Sequence, residues 1–278
     1  MRLSRLARAG VAVVSLAVAL TACGSRDEGS GSLVDKAKND KKLTIGIKFD
    51  QPGLGLQTPG GAYEGFDVEV AKYIAKELGV DANNITWKQT PSSQREDMIA
   101  NGQVDFIVAT YSITDKRKQK VDFAGPYFIA HQDLLVRADD KSITGPDSLS
   151  GKKLCSVQGS TSAQKVKDKF PQVQLQNVKG YSECLTGLES GAIDALTTDD
   201  TILAGYAAQQ PGKFKLVGKG FSDEKYGVGL KKGDTKGRDA INAAIQKMET
   251  DGSWKTAADK YFGPSGYTVP APPAITEK

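Results

Sequence analysis

Apolar and polar positions change period several times between residues 43 and 109. Leu43-Thr44-Ile45-Gly46-Ile47 is a short apolar run that predicts a strand. After a glycine-rich loop, Phe66-Asp67 opens a segment in which Val70, Ile74 and Leu78 recur at every fourth position, the spacing of one helix face. Gly79 supplies its stop. Ile85-Thr86-Trp87 predicts a second strand, Ser92 to Asn101 a short helix closed by Gly102, and Val104 to Ala109 a third strand. The third run barely alternates, as a strand buried on both faces requires. The order β-α-β-α-β implies an open sheet with parallel strands.

The pattern then restarts. Leu154 to Val157, Val173 to Asn177 and Ile193 to Thr197 read as strands, with helices over Ser162 to Phe170, Ser182 to Ser190 and Asp200 to Gln209. Tyr226 to Leu230 reads as a last strand, and Thr235 to Tyr261 as two helices split near Gly252. The expected fold class is α/β, with two lobes, each an open sheet, joined by two hinge crossings at Leu134-Leu135-Val136 and Tyr226 to Leu230. Lobe 1 is then discontinuous, residues 42–135 and 226–263, and lobe 2 is 136–225. Residues 264–278 carry Pro264, Pro270, Pro272 and Pro273 and are expected as a disordered or loosely docked tail. Ligands of open α/β sheets bind beyond the carboxyl ends of the strands, so two facing sheets form a cleft.

The first 41 residues follow other rules. Arg2, Arg5 and Arg8 precede an apolar run from Gly10 to Leu20, well short of the roughly 20 residues that span a bilayer. Residues 1–22 therefore read as an export signal. Leu20-Thr21-Ala22-Cys23 places small residues before a cysteine and resembles the bacterial lipobox, at which Cys23 would be acylated and become the new N-terminus. The competing reading is an ordinary cleaved signal beside which Cys23 happens to fall. Residues 23–41, beginning Gly24-Ser25-Arg26-Asp27-Glu28-Gly29-Ser30-Gly31-Ser32, are expected as a flexible, lipid-anchored linker. Of the three cysteines, Cys155 and Cys184 then remain. In an exported chain they form either a disulfide, closing a loop of roughly 30 residues worth about 3–4 kcal/mol, or two buried thiols.

Composition narrows the classes. Of 278 residues 39% are hydrophobic, enough for real cores, which excludes wholesale disorder. Without Arg2, Arg5 and Arg8 the chain holds 34 basic against 33 acidic residues. Near neutrality and with no long basic run, it is not expected to bind nucleic acid. A single histidine excludes a His-rich metal site, and no cofactor is expected.

The strand ends carry the candidate chemistry. Lys48 follows the first strand, Ser92 to Arg95 the second, and Thr110 to Arg117 the third. Gln158-Gly159-Ser160-Thr161-Ser162 follows the first strand of the second lobe, and Asp199-Asp200 a later one. A helix N-terminus behind Gly-Ser-Thr offers free N–H groups to an anion. Arginine offers a fork to a carboxylate. One carboxylate among these groups binds an ammonium. Together they describe a pocket for a zwitterion with an extra negative charge. Taken singly, Lys48 reads as a surface charge, the Gly-Ser-Thr-Ser turn as a helix cap, and Asp199 or Asp200 as another cap. His131 is expected without an acidic neighbour and in a structural role.

Gly65-Phe66-Asp67-Val68-Glu69-Val70-Ala71, the run from Ala109 to Arg117, Phe123-Ala124-Gly125-Pro126-Tyr127 and Gly159 to Ser162 resemble motifs of the polar amino-acid binding proteins of ABC importers. The resemblance extends from about residue 41 to 263. Lys48 to Leu56, Pro91 to Arg95 and the Cys155/Cys184 pair make it most like the actinobacterial glutamate-binding lipoproteins of that family. It implies an extracytoplasmic protein, lipid-anchored through Cys23, that captures glutamate or aspartate and delivers it to an ABC permease without catalysis. It also implies roles. Arg117 would clamp the α-carboxylate with Ser112 and Thr161. Asp199 and the Thr110 carbonyl would take the α-ammonium. Lys48, Ser92 and Arg95 would grip the side-chain carboxylate. Tyr111 departs from the small or aliphatic residue of many relatives. The alternatives are a glutamine or general polar amino-acid binder, a dehydratase-like enzyme on the same fold, and a sensor domain working with a separate membrane partner.

Overall fold

The computed structural model describes residues 31–278. The expected signal segment, Cys23 and the first part of the linker lie outside the described residues. No helix among the described residues is long and apolar enough to cross a membrane.

The chain opens with α1 (Leu33–Asp40), β1 (Leu43–Ile47), the short strands β2 (Asp50–Gln51), β3 (Gly55–Gln57) and β4 (Tyr63–Glu64), and α2 (Phe66–Glu77). It continues through β5 (Ile85–Gln89), α3 (Arg95–Ala100), β6 (Phe106–Ile107), α4 (Asp115–Lys118) and the long β7 (Val121–Arg137). Next come β8 (Lys153–Val157), α5 (Thr161–Lys169), β9 (Gln174–Val178), α6 (Tyr181–Glu189), β10 (Ala195–Asp199) and α7 (Asp200–Gln209). The last elements are β11 (Phe214–Leu216), β12 (Asp223–Lys231), α8 (Thr235–Thr250) and α9 (Ser253–Phe262).

The result is the two-lobed α/β fold that the pattern predicts. In the first lobe β5, β1 and β6 run parallel, and β12 joins β6 to β7 in antiparallel pairing. In the second, β10, β8 and β9 are parallel, while β10 and β11 pair antiparallel with β7. Strand β7 thus belongs to both sheets. Its partner changes from β12 at His131 to β10 at Gln132, and Gln132 N–H donates to Ser222 just ahead of β12. This passage falls a few residues before the apolar runs at Leu134 and Tyr226 that were expected to make it. Those runs are apolar because they sit inside the sheets.

The unalternating third run is explained by burial. Phe106 and Val108 face the cluster that holds Phe66, Phe128 and Trp254, whereas Val104, Ile107 and Ala109 face a second cluster with Met98, Tyr111 and Phe123. Cys155 on β8 and Cys184 on α6 form a disulfide, with Cα atoms 5.6 Å apart.

One terminal expectation needs correction and another is narrowed to its docked alternative. Residues 33–40 of the expected linker form α1, capped by Ser32, with Leu33 and Ala37 buried and Leu33 N–H donating to Asp234 at 2.8 Å. Two apolar residues four apart cover only one turn, too little periodicity to reveal a helix. The proline-rich tail is docked. Thr276 and Glu277 N–H groups donate to the Gly125 carbonyl at 2.9 and 3.1 Å, Asn242 donates to the Glu277 carbonyl, and Lys118 pairs with Glu277. Tyr267, Val269 and Ile275 pack on the main core. Proline forbids a regular strand but not an extended chain laid on a surface.

Candidate functional site

The strand ends of both lobes converge. A small polar cavity is lined by Ser92, Arg95, Thr110 and Ser112 from the first lobe and by Ser160, Thr161, Ser162, Tyr181, Asp199 and Ile202 from the second. Six of the eight residues expected to touch ligand stand on this lining. Lys48 and Arg117 sit just behind it.

Arg95 begins α3 and is 2% exposed. Its Nη1 donates to the Ala109 carbonyl at 2.8 Å, its guanidinium lies 4.1 Å from the Tyr111 ring centre, and its Nε has no partner. Burial, with Arg117 nearby, pulls it down to about 10, so it stays charged at neutral pH. Ser92 remains in the turn before α3, which starts three residues later than the pattern predicts, and its Oγ accepts from Lys48 Nζ at 2.9 Å. Burial first, and then Arg95, lowers Lys48 well below the ordinary lysine value.

Thr110 carries a positive φ of 45°, a conformation costly for a branched residue. Asp67 holds it there: the Thr110 N–H donates to Asp67 Oδ2 at 2.7 Å, and Tyr127 donates to Asp67 Oδ1 at 2.8 Å. Burial pushes Asp67 up to about 6. The Thr110 carbonyl lies at the limit of reach from Arg95 Nη1, 3.5 Å.

The lobes meet at the next residues. Ser112 Oγ is 3.4 Å from Thr161 Oγ1 across the cleft. Arg117 donates from Nη1 to the Ser112 carbonyl at 2.7 Å and from Nη2 to the Gly159 carbonyl at 3.0 Å, while its Nε lies 3.3 Å from Glu96. Its fork, expected to face ligand, is therefore an interlobe tie. Gly159 permits it: φ is 79°, and a Cβ there would sit 2.7 Å from Ser93 Cα.

Asp199 ends β10, buried, with Tyr226 donating to Oδ2 at 2.7 Å and no partner on Oδ1 among the described residues. Burial, then the Glu224 carboxylate, raises it well above the usual carboxylate range. It does not cap α7 with its side chain. Sequence reading missed Glu224, which accepts from Thr161 Oγ1 at 2.8 Å and pairs with Lys165. It also missed Tyr181 and Ile202, and gave Ser160 and Ser162 no role of their own. Ser160 and Ser162 were visible in the Gly-Ser-Thr-Ser turn, whereas Glu224 looks like one of many charges before a strand. His131 does have acidic neighbours: its ring stands between Asp200 and Asp223 at 3.4 and 3.5 Å, half exposed and off the lining.

Buried cations on one lobe, a buried carboxylate on the other and a polar cavity between them define a two-lobed solute-binding protein. The chain belongs to the bacterial extracellular solute-binding proteins, family 3, which it matches over residues 43–264. It is 48% identical over 276 residues to the glutamate-binding protein GluB of Corynebacterium efficiens, covering 96% of this chain and 93% of the relative. It is 39% identical over 262 residues to the ABC transporter glutamine-binding protein GlnH of Bacillus subtilis, covering 91% of this chain and 96% of the relative. A solved ancestral arginine-binding protein bound to glutamine superimposes with a TM-score of 0.76 at 35% identity, over 80% of this chain and 98% of that one.

Proposed function

We propose that this protein captures an acidic amino acid, glutamate first and aspartate next, at the outer face of the membrane to which Cys23 anchors it, and delivers it to an ABC permease. One observation carries the reading. Arg95, a buried cation with no carboxylate within 4 Å among the described residues, faces the same cavity as Asp199, a buried carboxylate with one unpartnered oxygen. Each is costly to bury alone. A dicarboxylate bearing one ammonium gives both a partner.

In this assignment Asp199 and the Thr110 carbonyl take the α-ammonium. Ser112, Thr161 and the first N–H groups of α5 take the α-carboxylate, with the Arg117 charge behind them. Arg95, Ser92 and Lys48 take the side-chain carboxylate. These contacts come from both lobes, so binding favours the closed arrangement, whose shape a permease can distinguish from the open one. The likeness to glutamate-binding and glutamine-binding relatives supports the amino-acid class. Glutamine is the second reading, favoured by the hydroxyls of Ser92, Ser160 and Ser162 on the lining, but it leaves Arg95 unpaired. The position of His131 off the lining removes the sole imidazole from an enzymatic reading.

A thermal-shift screen of the twenty amino acids on the chain without residues 1–23, followed by calorimetry, tests this. Glutamate and aspartate are expected to raise the unfolding temperature most. Stabilisation by arginine or lysine instead would refute the acidic assignment.

A further inference from the structure

Tyr111 is absent from every role assigned so far, yet two of the site's cations rest on it. The ring is fully buried, 4.1 Å from the Arg95 guanidinium carbon and 5.1 Å from that of Arg117. Phe123 packs edge-on at 4.8 Å, and a Cβ at Gly229 would come within 2.6 Å of the ring. The space for this aromatic is therefore made by a glycine on the neighbouring strand, and the ring has no room to turn away.

The two guanidinium groups are held differently. Arg117 has the Glu96 carboxylate and two carbonyls, so its charge is largely answered by the protein. Arg95 has one close carbonyl and the ring face, with no carboxylate in reach among the described residues. An aromatic face attracts a cation without neutralising it. A carboxylate in its place would hold Arg95 as firmly but spend its charge.

We propose that Tyr111 is a specificity-determining positioning residue, whose ring fixes Arg95 against the cavity with its charge unspent and so makes the site prefer an acidic over a neutral side chain. This rests on the acidic amino-acid reading above. Tyr111 touches no ligand and acts through Arg95.

The test is calorimetry of glutamate and glutamine on the wild-type chain, Tyr111→Phe and Tyr111→Leu. Tyr111→Phe keeps the ring and is expected to retain the glutamate-to-glutamine affinity ratio. Tyr111→Leu is expected to reduce that ratio about 30-fold, chiefly through weaker glutamate binding; at 1.4 kcal/mol per decade this is about 2 kcal/mol, the scale of a desolvated cation–π contact. To separate this from damaged folding, mono-, di- and trifluorinated phenylalanines at position 111 keep the shape while draining the ring face. A stepwise fall in the ratio supports the proposal. A flat fluorine series, equal losses for both ligands in Tyr111→Leu, or an equal change in Tyr111→Phe overturns it. A wild-type chain that prefers glutamine refutes the acidic reading itself, and that outcome is read before any variant.

Discussion

The two rims of the cleft are built from opposite charges by the same device. The first lobe brings Lys48, Arg95 and Arg117 to the ends of β1, β5 and β6, and burial lowers Lys48 and Arg95. The second brings Asp199 to the end of β10 with Glu224 close behind, and burial raises Asp199. Each rim is thus electrostatically uncomfortable alone, in the direction desolvation dictates for its sign. Ties such as Arg117 to the Gly159 carbonyl and Ser112 to Thr161 bring the rims together but answer neither Arg95 nor Asp199. In the proposed reading a bipolar ligand does, which would couple affinity to closure.

Removing the negative rim should have the largest effect. If Asp199 holds the α-ammonium as proposed, Asp199→Ala is expected to strand it for every amino acid; breaking a buried pair costs roughly 3–5 kcal/mol, more than a hundredfold in affinity. Calorimetry with glutamate and glutamine should show both losses; a loss confined to one ligand would break the comparison. On the positive rim the effect should be selective. Arg95→Ala is expected to cost glutamate about 1.5–3 kcal/mol and glutamine far less, and Lys48→Ala to follow the same order with a smaller loss. Equal losses for the two ligands would reassign the side-chain pole.

The rims should also part company in pH. A bound ammonium favours ionised Asp199, so binding releases a proton wherever the free carboxylate, raised by burial, is still protonated, and affinity should fall as the pH is lowered through the range in which it titrates. A bound carboxylate favours charged Lys48, whose value is lowered, so binding takes up a proton on the alkaline side and affinity should fall as pH rises there. Titrations in buffers of different ionisation enthalpy read the sign directly. The same sign at both ends would contradict the assignment of the rims.

Two smaller effects separate closure from chemistry. Gly205 on α7 faces the Pro52 carbonyl of the first lobe, where a Cβ would lie 2.3 Å away. Gly205→Ala should prop the lobes apart and weaken glutamate and glutamine alike by about 1–2 kcal/mol, with a larger radius of gyration in solution scattering. An unchanged affinity would mean the lobes need not meet there. Replacing Cys155 and Cys184 by serine should lower stability by about 3–4 kcal/mol in denaturant titration yet leave affinity nearly unchanged, because the disulfide ties β8 to α6 within the second lobe.

What was legible in the sequence was local or periodic. The α2 repeat of Val70, Ile74 and Leu78 and the unalternating run ending at Ala109 each carried their own reason for folding, and the helices and strands that the pattern predicted formed close to where it put them, whereas β7 was expected only at Leu134–Val136. The failures share a cause. Helix α1 has only Leu33 and Ala37 to show its period, the tail is held by Gly125 and Asn242 from distant elements, and the hinge passage depends on which strand pairs with which side of β7.

By itself, then, the chain determined the succession of strands and helices along it, hence which loops follow the carboxyl ends of the parallel strands and which charges those loops can offer. Parallel pairing and handed crossovers leave little freedom there. Only the tertiary structure decided how long side chains are spent. Arg95 and Arg117 are equivalent in a sequence, two arginines in strand-end loops. One reaches the cavity and the other ties the lobes because Glu96 and the Gly159 carbonyl stand beside Arg117, while Tyr111, given room by Gly229, stands beside Arg95. A flexible cation goes to whatever packing places within its reach, and that is set by residues far away in the chain.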